Sequence, residues 1–329
     1  MSDAVIRRAF VTGGSGFVGG ALIRRLVADG VEVRALARSA HAVETVTGSG
    51  AVAVRGDLED RSALRSGAEG SDVVFHAAAK VEDFGDPDAF HRVNVEGTRN
   101  AVDAARAAGA PRFVHVGTEA ALMAGTPLRG VDETAPLRPD SPVLYSRTKA
   151  QAEAIVVRSA VPDVFVTVSI RPRFVWGPGD TTVLPQFADA VRAGQFAWVA
   201  GGRHLTDTTH VDNVVEGLLL GARRGAAGRA YFVTDGPPVE FRAFVTALLR
   251  TQGLEPPDRS IPQPVATAAA IGGEAAWRLL RRPGAPPLTR FALWAMSQEC
   301  TLDTSRAREE LGYVPVITRE DGLVQLSPA

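Results

Sequence analysis

A glycine-rich turn near the start of the chain constrains the fold more than any other feature. Residues 9–12 read Ala-Phe-Val-Thr, and the spacing Gly13-x-x-Gly16-x-x-Gly19 follows at once. Beyond it, Leu22 and Leu26 lie one helical turn apart, as on the buried face of a helix. Gly13 permits the tight turn, Gly16 lets a ligand approach the main chain, and Gly19 brings the helix close to the sheet. The pattern predicts a parallel α/β sheet with a dinucleotide pyrophosphate at a helix N-terminus.

Short apolar runs alternate with helical patterns through the first half of the chain. The predicted strands are 9–13, 31–36, 51–55, 72–77, 112–117, 166–171 and 230–233. The predicted helices between them are 16–29, 60–67, 88–108 and 142–159. This alternation is typical of an α/β protein with a Rossmann-type, doubly wound parallel sheet.

The regular alternation loosens after about residue 172, where prolines begin to cluster. We expect a dinucleotide-binding domain over residues 1–172 together with about 211–235, because 211–233 again reads as helix then strand. The remaining residues, 173–210 and 236–329, are expected to form a smaller, mostly helical substrate-binding lobe. The two units are therefore predicted to interleave along the chain.

Composition excludes several classes of function. The formal net charge is −1, so neither nucleic acid nor an anionic membrane is an expected partner. Cys300 is the single cysteine, and the histidines are scattered, so neither a disulfide nor a metal site is expected. Residues 265–280 are apolar but interrupted by Glu274 and Arg278, which indicates a packed or interfacial helix. No apolar leader is apparent, and we expect a cytoplasmic protein.

The end of the second predicted strand bears on the choice of dinucleotide. It reads Leu-Ala-Arg-Ser over residues 36–39, with no carboxylate to bind ribose hydroxyls. Arg38 and Ser39 suit a 2′-phosphate, because a guanidinium can bind phosphate with two hydrogen bonds. NADP is therefore the expected cofactor, with NAD as the alternative; the competing interpretation of Arg38 is a solvated surface arginine.

Tyr145 and Lys149 are four residues apart, which places both on one face of a helix. Ser141 and Pro142 are predicted to cap and begin that helix. A nearby ammonium favours a phenolate, so Lys149 is expected to bring the pKa of Tyr145 toward neutrality. The pair predicts proton transfer by Tyr145.

Further motifs occur in an order that resembles the extended, or atypical, short-chain dehydrogenase/reductase superfamily, which includes NAD-dependent epimerases and dehydratases. They are the glycine turn, Gly56-Asp57-Leu58, His76-Ala77-Ala78-Ala79, Asn94-Val95-x-Gly97-Thr98, Thr118 after a strand, Tyr145-x-x-x-Lys149 and Arg171-Pro172. The resemblance extends along nearly the whole chain.

The resemblance implies an oxidoreductase with Thr118, Tyr145 and Lys149 as catalytic residues. The implied cofactor-binding residues are Gly13, Ser15, Gly16, Phe17, Val18, Gly19, Arg38, Ser39, Asp57, Leu58, Ala77, Ala78, Ala79, Asn94, Tyr145, Lys149, Arg171, Pro172, Phe174 and Val175. Thr118 follows Val-Gly where relatives commonly carry several hydroxyl residues, and it is alternatively a plain strand residue. Asn94 is alternatively a polar helix start.

Two subgroups of this superfamily differ in substrate. Nucleotide-sugar enzymes usually carry an arginine where this chain has Thr206, and that arginine reaches the diphosphate. The segments 171–180 and 302–313 instead resemble the 3β-hydroxysteroid dehydrogenase/isomerase-like group, which implies an apolar alcohol or ketone such as a hydroxysteroid or keto acid. The nominated substrate-binding residues are Lys80, Glu119, Trp176 and Phe187. The competing interpretations are core aromatic residues and, for Lys80, a solvated loop.

Three functions remain open on this basis. The first is interconversion of a secondary alcohol and a ketone, the second is nucleotide-sugar epimerisation or dehydration, and the third is dinucleotide binding without catalysis. No residue pair is nominated for an isomerase step. The helices at 88–108 and 142–159 often pair between subunits in the superfamily, so a homodimer is expected by resemblance.

Overall fold

A parallel sheet lies at the centre of the computed structural model, which describes residues 3–327. The strands are β1 (Arg8–Thr12), β2 (Glu32–Ala37), β3 (Val52–Arg55), β4 (Val73–His76), β5 (Arg112–Val116), β6 (Leu128–Val131), β7 (Val166–Pro172), β8 (Val175–Trp176), β9 (Trp198–Val199), β10 (Leu205–Thr206), β11 (Thr209–His210), β12 (Arg229–Val233), β13 (Val239–Glu240), β14 (Ser260–Ile261) and β15 (Cys300–Leu302). Within the described residues, seven of them pair in the order β3-β2-β1-β4-β5-β7-β12, all parallel. The chain places β2 and β3 on one side of β1 and then crosses back to place β4, β5, β7 and β12 on the other, as in a doubly wound sheet.

The helices cover both faces of this sheet and form most of the C-terminal part. They are α1 (Phe17–Ala28), α2 (Ala40–Gly48), α3 (Arg61–Ala68), α4 (Pro87–Phe90), α5 (Gly97–Ala107), α6 (Leu144–Arg158), α7 (Val183–Arg192), α8 (Val211–Arg224), α9 (Phe241–Arg250), α10 (Gln263–Leu279), α11 (Arg290–Ser297) and α12 (Arg319–Leu326). Short 3₁₀ segments occur at Glu119–Leu122 and Ala200–Gly202, and π-helical segments at His91–Glu96 and Ala307–Leu311.

The predicted fold class is confirmed, and each of the seven predicted strands lies in the central sheet within one residue of its expected bounds. Alternate side chains of each strand pack on opposite faces. Val11 packs with α1 and α8, including Leu22 and Leu218, whereas Phe10 packs with α3 and α5, including Leu64 and Val102. Strands buried on both faces explain why their sequences are nearly continuous apolar runs.

Two helix predictions were wrong in detail. The helix expected over 88–108 is divided into α4 and α5 by the π-helical segment. The helix expected from Pro142 begins at Leu144, with Val143 as an extended N-cap residue and no side-chain cap. The hydroxyl of Ser141 instead accepts a hydrogen bond from the Val143 nitrogen over 3.4 Å, within the preceding loop. Tyr145 therefore lies in the first turn of α6.

Strands from distant parts of the chain join in a smaller, four-stranded sheet, in the order β13-β10-β15-β6. β6 lies in the expected dinucleotide-binding domain, and its neighbour β15 lies in the expected substrate-binding lobe. Both expected units therefore contribute strands to this smaller sheet. The segment expected as a packed or interfacial helix is α10, with Ala266, Ala270 and Glu274 as its buried residues. In residues 3–327, none of the helices combines the length and the apolar character needed to traverse a bilayer.

The Asp235 carboxylate connects the end of the central sheet to the C-terminal elements. It accepts hydrogen bonds from the His210 main-chain nitrogen at 2.6 Å and the Asn213 side-chain nitrogen at 2.7 Å. The Thr208 hydroxyl and the Trp176 indole nitrogen also donate to it, at 2.7 and 2.8 Å. Asp235 lies two residues after the end of β12, so one carboxylate fixes β11, the start of α8 and Trp176 relative to the sheet.

Candidate active site

The glycine turn between β1 and α1 is too tight for side chains. Gly13 has a φ of +73°, and a Cβ there would lie 2.5 Å from the Ala78 nitrogen. A Cβ at Gly19 would lie 2.2 Å from the Gly13 oxygen. Gly16 is the extended N-cap residue of α1, and no side chain caps the helix. Free N–H groups at a helix N-terminus, with Ser15 exposed and Phe17 and Val18 half-buried beside them, form a cradle that fits a pyrophosphate.

A buried polar chain fixes the ends of β1 and β4 beside this cradle. Thr98 donates its hydroxyl to the Asn94 main-chain oxygen over 2.7 Å, so it accepts from His76 Nε2 over 3.0 Å. The other ring nitrogen, Nδ1, then accepts from the Thr12 hydroxyl over 2.7 Å. Burial, with a smaller effect of Lys149, lowers the pKa of His76 to about 3, and the ring is neutral. These bonds position Ala77, Ala78 and Ala79, which follow β4 and are half-buried.

Asn94 lies in the π-helical segment and holds the loop after β4. Its side-chain oxygen accepts from the Lys80 nitrogen at 2.7 Å, and its side-chain nitrogen donates to the Lys80 oxygen at 3.0 Å. The same nitrogen also contacts the Thr148 hydroxyl of α6 at 3.0 Å. Single π-helical turns occur often at functional sites. Asn94 joins the loop to the helix that carries Tyr145 and Lys149.

Lys149 is buried, and its ammonium reaches the end of β5. It donates to the Val116 oxygen at 2.7 Å and contacts His115 Nε2 at 3.3 Å. Burial lowers the pKa of Lys149 to about 8, against the opposing effect of Glu153. Burial also lowers the pKa of His115 well below its usual value, so its ring is neutral.

The phenol of Tyr145 lies in a different environment from the one predicted. Burial first, and then the charge of Glu119, raise the pKa of Tyr145, while a hydrogen bond with Thr118 opposes the rise. The lowering expected from Lys149 is not found, because the ammonium of Lys149 is directed to the main chain of β5. Tyr145 is therefore a protonated phenol at neutral pH, which is the form that donates a proton.

Thr118 follows β5 and begins the 3₁₀ segment. Its hydroxyl accepts from the Ala120 nitrogen at 3.1 Å and donates to Glu119 Oε2 at 2.8 Å. The other oxygen of Glu119 accepts from Arg173 Nη1 at 2.6 Å. Glu119 was predicted to contact substrate, but only 4% of the residue is exposed and its carboxylate points toward Thr118 and Arg173. It lies behind the hydroxyl and does not line an open pocket.

The prediction that the Arg171 side chain binds the cofactor is corrected for a similar reason, since this side chain is also buried and paired. Its guanidinium forms a buried ion pair with Glu153 of α6 and lies over the ring of Phe232. Glu153 also accepts from the Ser169 hydroxyl at 2.9 Å. With 3% of Arg171 exposed, its side chain fastens α6 to β7 and is not free to bind a cofactor. Pro172, which ends β7, is buried as well.

The aromatic residues predicted to line a substrate pocket mainly form a core. Trp176 has no exposed surface, and its indole nitrogen donates to Asp235, so its predicted contact with substrate is wrong. Phe187 is half-buried and stacks on Phe174, with ring centroids 6.2 Å apart. Phe174 has a φ of +44° and packs edge-on against Phe241 as well. The predicted cofactor contacts of Phe174 and of Val175, in β8, stay predictions.

Sequence reasoning missed Phe291, an aromatic residue next to Tyr145. Phe291 lies in α11, and its ring meets that of Tyr145 edge-on with centroids 5.2 Å apart. Leu288, Leu293 and Trp294 pack in the same apolar cluster. The loop after β4 reaches the same region, since Thr289 donates to Asp83 over 3.2 Å. Phe291 and these neighbours form an apolar wall beside Tyr145. No local pattern near Tyr145 indicates this wall, because its residues come from the C-terminal part of the chain.

Lys80 begins that loop. Its ammonium pairs with Glu82 and lies 5.2 Å from the centroid of the Phe90 ring. Its main chain is held by Asn94, so the loop starts from a fixed point. The predicted contact of Lys80 with substrate stays a prediction.

The predicted adenosine end of the cradle is basic. Arg38 is exposed directly after β2, and Ser39 caps α2 by accepting from the Ala42 nitrogen over 3.1 Å. Arg55, which sequence reasoning missed, lies opposite Ala37 in the pairing of β2 with β3. The register of the sheet, which a local motif does not reveal, places Arg55 at the same end of the sheet as Arg38.

Asp57 and Leu58 follow Arg55 at the same edge of the sheet. Asp57 accepts hydrogen bonds from the Glu59 and Asp60 nitrogens, at 2.8 and 3.1 Å. Leu58 packs so closely on α5 that a Cβ at Gly97 would lie 2.7 Å from its Cδ1. Their contacts with an adenine stay predictions. In the described part of the chain, no group of three His, Cys, Asp or Glu side chains is arranged to hold a metal ion.

Comparison with known proteins finds a matching family and relatives that cover nearly the whole chain. The model of the 3-beta hydroxysteroid dehydrogenase/isomerase family matches residues 10–263. A 4-hydroxy-2-methyl-3-oxo-4-farnesyl-3,4-dihydroquinoline-1-oxide ketoreductase of Stigmatella aurantiaca is 49% identical, over 98% of this chain and 96% of its own. A 2-alkyl-3-oxoalkanoate reductase of Stenotrophomonas maltophilia is 38% identical, over 97% and 98%. The crystal structure of gox2253 superposes with a TM-score of 0.78 at 28% identity, covering 97% of this chain and 96% of its own.

Proposed function

Because the chain belongs to the 3-beta hydroxysteroid dehydrogenase/isomerase family and is an NAD(P)-dependent dehydrogenase or reductase, we propose that it reduces a ketone in an apolar substrate. The observation that best supports this proposal is the arrangement of side chains around Tyr145. A protonated phenol has the Thr118 hydroxyl beside it and Phe291 edge-on at 5.2 Å, so a proton donor lies next to an apolar wall.

The glycine cradle supports a dinucleotide as the cofactor, since a Cβ at Gly13 or Gly19 would collide with main-chain atoms. Within it, the N-terminus of α1 would bind the pyrophosphate. Arg38 and Arg55 at the end of the sheet support NADP over NAD, because both guanidinium groups are exposed and suit a 2′-phosphate. When bound, a nicotinamide dinucleotide supplies the hydride or takes it up.

The side chains of this protein would provide the proton and its setting. Tyr145 donates its hydroxyl proton to the ketone oxygen as the carbonyl carbon becomes an alcohol carbon. Lys149 supplies a positive charge four residues along α6 and, by the family resemblance, binds the ribose hydroxyls. The Thr118 hydroxyl would contact the substrate oxygen, as the family resemblance implies, and Asn94 fixes the loop that borders the site.

The substrate class follows from the wall and from the relatives. Both ketoreductase relatives have names with a 3-oxo group and a hydrocarbon substituent, farnesyl in one and alkyl in the other. In this chain, α11 provides an apolar surface beside the proton donor, which suits such a substituent. We propose a 3-oxo compound with a long apolar chain as the substrate.

A nucleotide sugar is less well supported. Thr206, at the position where sugar enzymes usually carry arginine, is completely buried, and its hydroxyl accepts from Arg173 Nε at 3.4 Å. Arg173 itself is only 2% exposed and is paired with Glu119. This position therefore offers a diphosphate no free guanidinium.

A substrate screen that follows nicotinamide absorbance tests the proposal. It includes 2-alkyl-3-oxoalkanoates, prenylated cyclic ketones, 3β-hydroxysteroids, and uridine and thymidine diphosphate sugars, each with NADPH or NADH in the reducing direction and the oxidised forms in the other. We expect reduction of 3-oxo compounds with apolar chains. Product analysis showing turnover of a diphosphate sugar alone would refute the ketone assignment, and tight dinucleotide binding without any turnover would indicate a non-catalytic protein.

A further inference from the structure

Helix α10 has an apolar face that the rest of the chain leaves uncovered. Its buried residues Ala266 and Ala270 pack in the same apolar cluster as Leu293 and Trp294 of α11. The opposite side is exposed and carries the following residues: Val265, Ala268, Ala269, Ile271, Gly272, Ala275, Ala276 and Leu279. A solvated helix ordinarily places charged and polar side chains on that side.

The C-terminal end of this face has the largest exposed apolar side chains. Leu279 is 83% exposed, and Leu280, the next residue, is 61% exposed. The exposed positions of α10 recur every three or four residues from 265 to 279, so they form one continuous stripe along the helix. A contiguous exposed apolar stripe marks an interaction surface.

Glu274 prevents α10 from turning this stripe inward. Its side chain is buried on the opposite side, where it accepts from the Arg290 main-chain nitrogen over 2.7 Å and pairs with the Arg290 guanidinium at 2.8 Å. Rolling the helix would separate a buried carboxylate from these partners, which is costly. The apolar stripe is therefore held toward the outside.

Positive charge lies at the C-terminal end of the stripe. Arg278, Arg281 and Arg282 are all exposed. Arg278 pairs with Glu274, whereas Arg281 and Arg282 form no ion pair within residues 3–327. The guanidinium of Arg282 lies 5.0 Å from the centroid of the Trp277 ring. Exposed leucines beside uncompensated arginines suit a surface that is apolar below and negatively charged above.

We propose that α10 docks this protein on an anionic phospholipid surface. Leu279 and Leu280 would enter the boundary between headgroups and acyl chains, and Arg281 and Arg282 would bind lipid phosphates. The helix would lie on the membrane. A second copy of this chain is a poorer occupant, because the exposed side of α10 presents no carboxylate to the arginines of another copy.

The net charge of −1 favoured no membrane partner because it averages the whole surface, whereas the arginines form a local cluster. Docking through α10 would also bring α11, and with it Phe291 beside Tyr145, close to the bilayer. A ketone with a long apolar chain would be dissolved there. The docking inference goes beyond the proposed ketone reduction and does not depend on it.

Co-sedimentation with lipid vesicles tests the proposal without any ketone. We expect binding to vesicles of equimolar phosphatidylcholine and phosphatidylglycerol, and roughly tenfold weaker binding to phosphatidylcholine alone. Added salt should weaken the binding to anionic vesicles. Circular dichroism checks that each variant below is folded.

Leu279→Glu/Leu280→Glu should lower the vesicle partition coefficient by roughly tenfold or more. The matched control is Val314→Glu/Val316→Glu, which adds the same charge at two residues that are 69% and 54% exposed elsewhere on the surface. It should bind nearly as well as the unmodified protein.

Arg281→Gln/Arg282→Gln should lower the partition coefficient for anionic vesicles by roughly tenfold and leave binding to phosphatidylcholine unchanged. Arg65→Gln/Arg129→Gln is the control, because these exposed arginines lie away from α10. Equal effects of the two double variants would overturn the role of the arginine cluster, and with it the proposal.

A fluorescent label locates the contact independently of these charge changes. Cys300 is buried, so Leu279→Cys carries the one reactive thiol that nitrobenzoxadiazole can label. Its emission should rise and shift to shorter wavelength with anionic vesicles, and that of Val314→Cys should not.

Three results would overturn the proposal: no binding to anionic vesicles, equal binding by Leu279→Glu/Leu280→Glu, or an unchanged Leu279→Cys label. Light scattering distinguishes the other occupant. A dimer that Leu279→Glu/Leu280→Glu converts to a monomer, without vesicle binding by either protein, would show that the stripe joins two copies. Failure of the substrate screen would leave these outcomes unaffected and would refute the proposed function alone.

Discussion

The ammonium of Lys149 donates a hydrogen bond to the main-chain oxygen of Val116, 2.7 Å away, at the end of β5. Burial holds the pKa of Lys149 at about 8, below the ordinary value of 10.5, against the opposing charge of Glu153. The position of Lys149 therefore connects the protonation of the site to the stability of the fold.

Between pH 8 and 10.5, the unfolded chain holds a proton on Lys149 that the folded chain has released. The free energy of unfolding should therefore rise with pH through this window, by up to about 3 kcal/mol from this residue. Lys149→Met should lose that rise. Urea unfolding of both proteins at pH 7.5 and pH 10 measures the difference, and equal pH slopes would contradict the assignment.

Tyr145→Phe removes the proposed proton donor and leaves the ring. We expect kcat for ketone reduction to fall by roughly 10² to 10⁴-fold, the usual contribution of a positioned acid or base. The dissociation constant for NADPH, measured by fluorescence quenching, should change little. Tyr313→Phe is a control because Tyr313 is a buried tyrosine whose hydroxyl donates to the Thr234 oxygen over 2.9 Å. Turnover retained by Tyr145→Phe would refute its catalytic role.

Arg38→Ala and Arg55→Ala should each reduce the preference for NADPH over NADH. The two guanidinium groups lie at the same end of β2 and β3, where a 2′-phosphate would need its positive partners. Loss of either charge-assisted contact should weaken NADPH binding by roughly tenfold and leave NADH binding almost unchanged. Isothermal titration with both dinucleotides measures this, with the exposed Arg129→Ala as a control. If the ratio of the NADPH and NADH dissociation constants stays constant in both variants, Arg38 and Arg55 do not determine the preference for NADPH.

Gly19→Ala and Gly272→Ala compare two glycines within helices. A Cβ at Gly19 would lie 2.2 Å from the Gly13 oxygen, whereas no atom lies within 4 Å of one at Gly272. Gly272→Ala should stabilise the protein by roughly 0.5–1 kcal/mol, because alanine loses less backbone entropy than glycine. Gly19→Ala should destabilise the protein and abolish dinucleotide binding. Thermal melts with and without NADPH separate the two, and a ligand-dependent rise in Tm for Gly19→Ala would count against the cradle.

Phe291→Ala tests the apolar wall. Removing a ring 5.2 Å from that of Tyr145 should raise KM for 3-oxo substrates with long chains by roughly tenfold or more. Short-chain substrates, which would not reach the wall, should be affected less. The ratio of kcat/KM between long and short substrates is the measurement, and an unchanged ratio would exclude α11 as the surface that binds the chain.

The glycine turn and the seven strands could be predicted from the sequence because their signals are local: fixed glycine spacing and short apolar runs between helices. The partners of the catalytic residues could not. Phe291 meets Tyr145, and Arg173 meets Glu119, only after distant segments have packed together. Trp176 shows the converse error, since its place after a cofactor-facing motif indicated a pocket whereas the fold buries its ring beside Asp235. The predicted homodimer and cytoplasmic location stay predictions.

The hydrogen bonds of Asp235 have a consequence for how this protein can change during evolution. Because one carboxylate secures β11, α8 and Trp176, and β12 returns to the edge of the central sheet, the C-terminal elements are not a module that recombination could exchange whole. Grafting them from a relative would sever the attachments at Asp235. New substrate preferences should arise instead from single replacements in α11, whose Phe291 lies against Tyr145 and whose residues make none of the hydrogen bonds to that carboxylate.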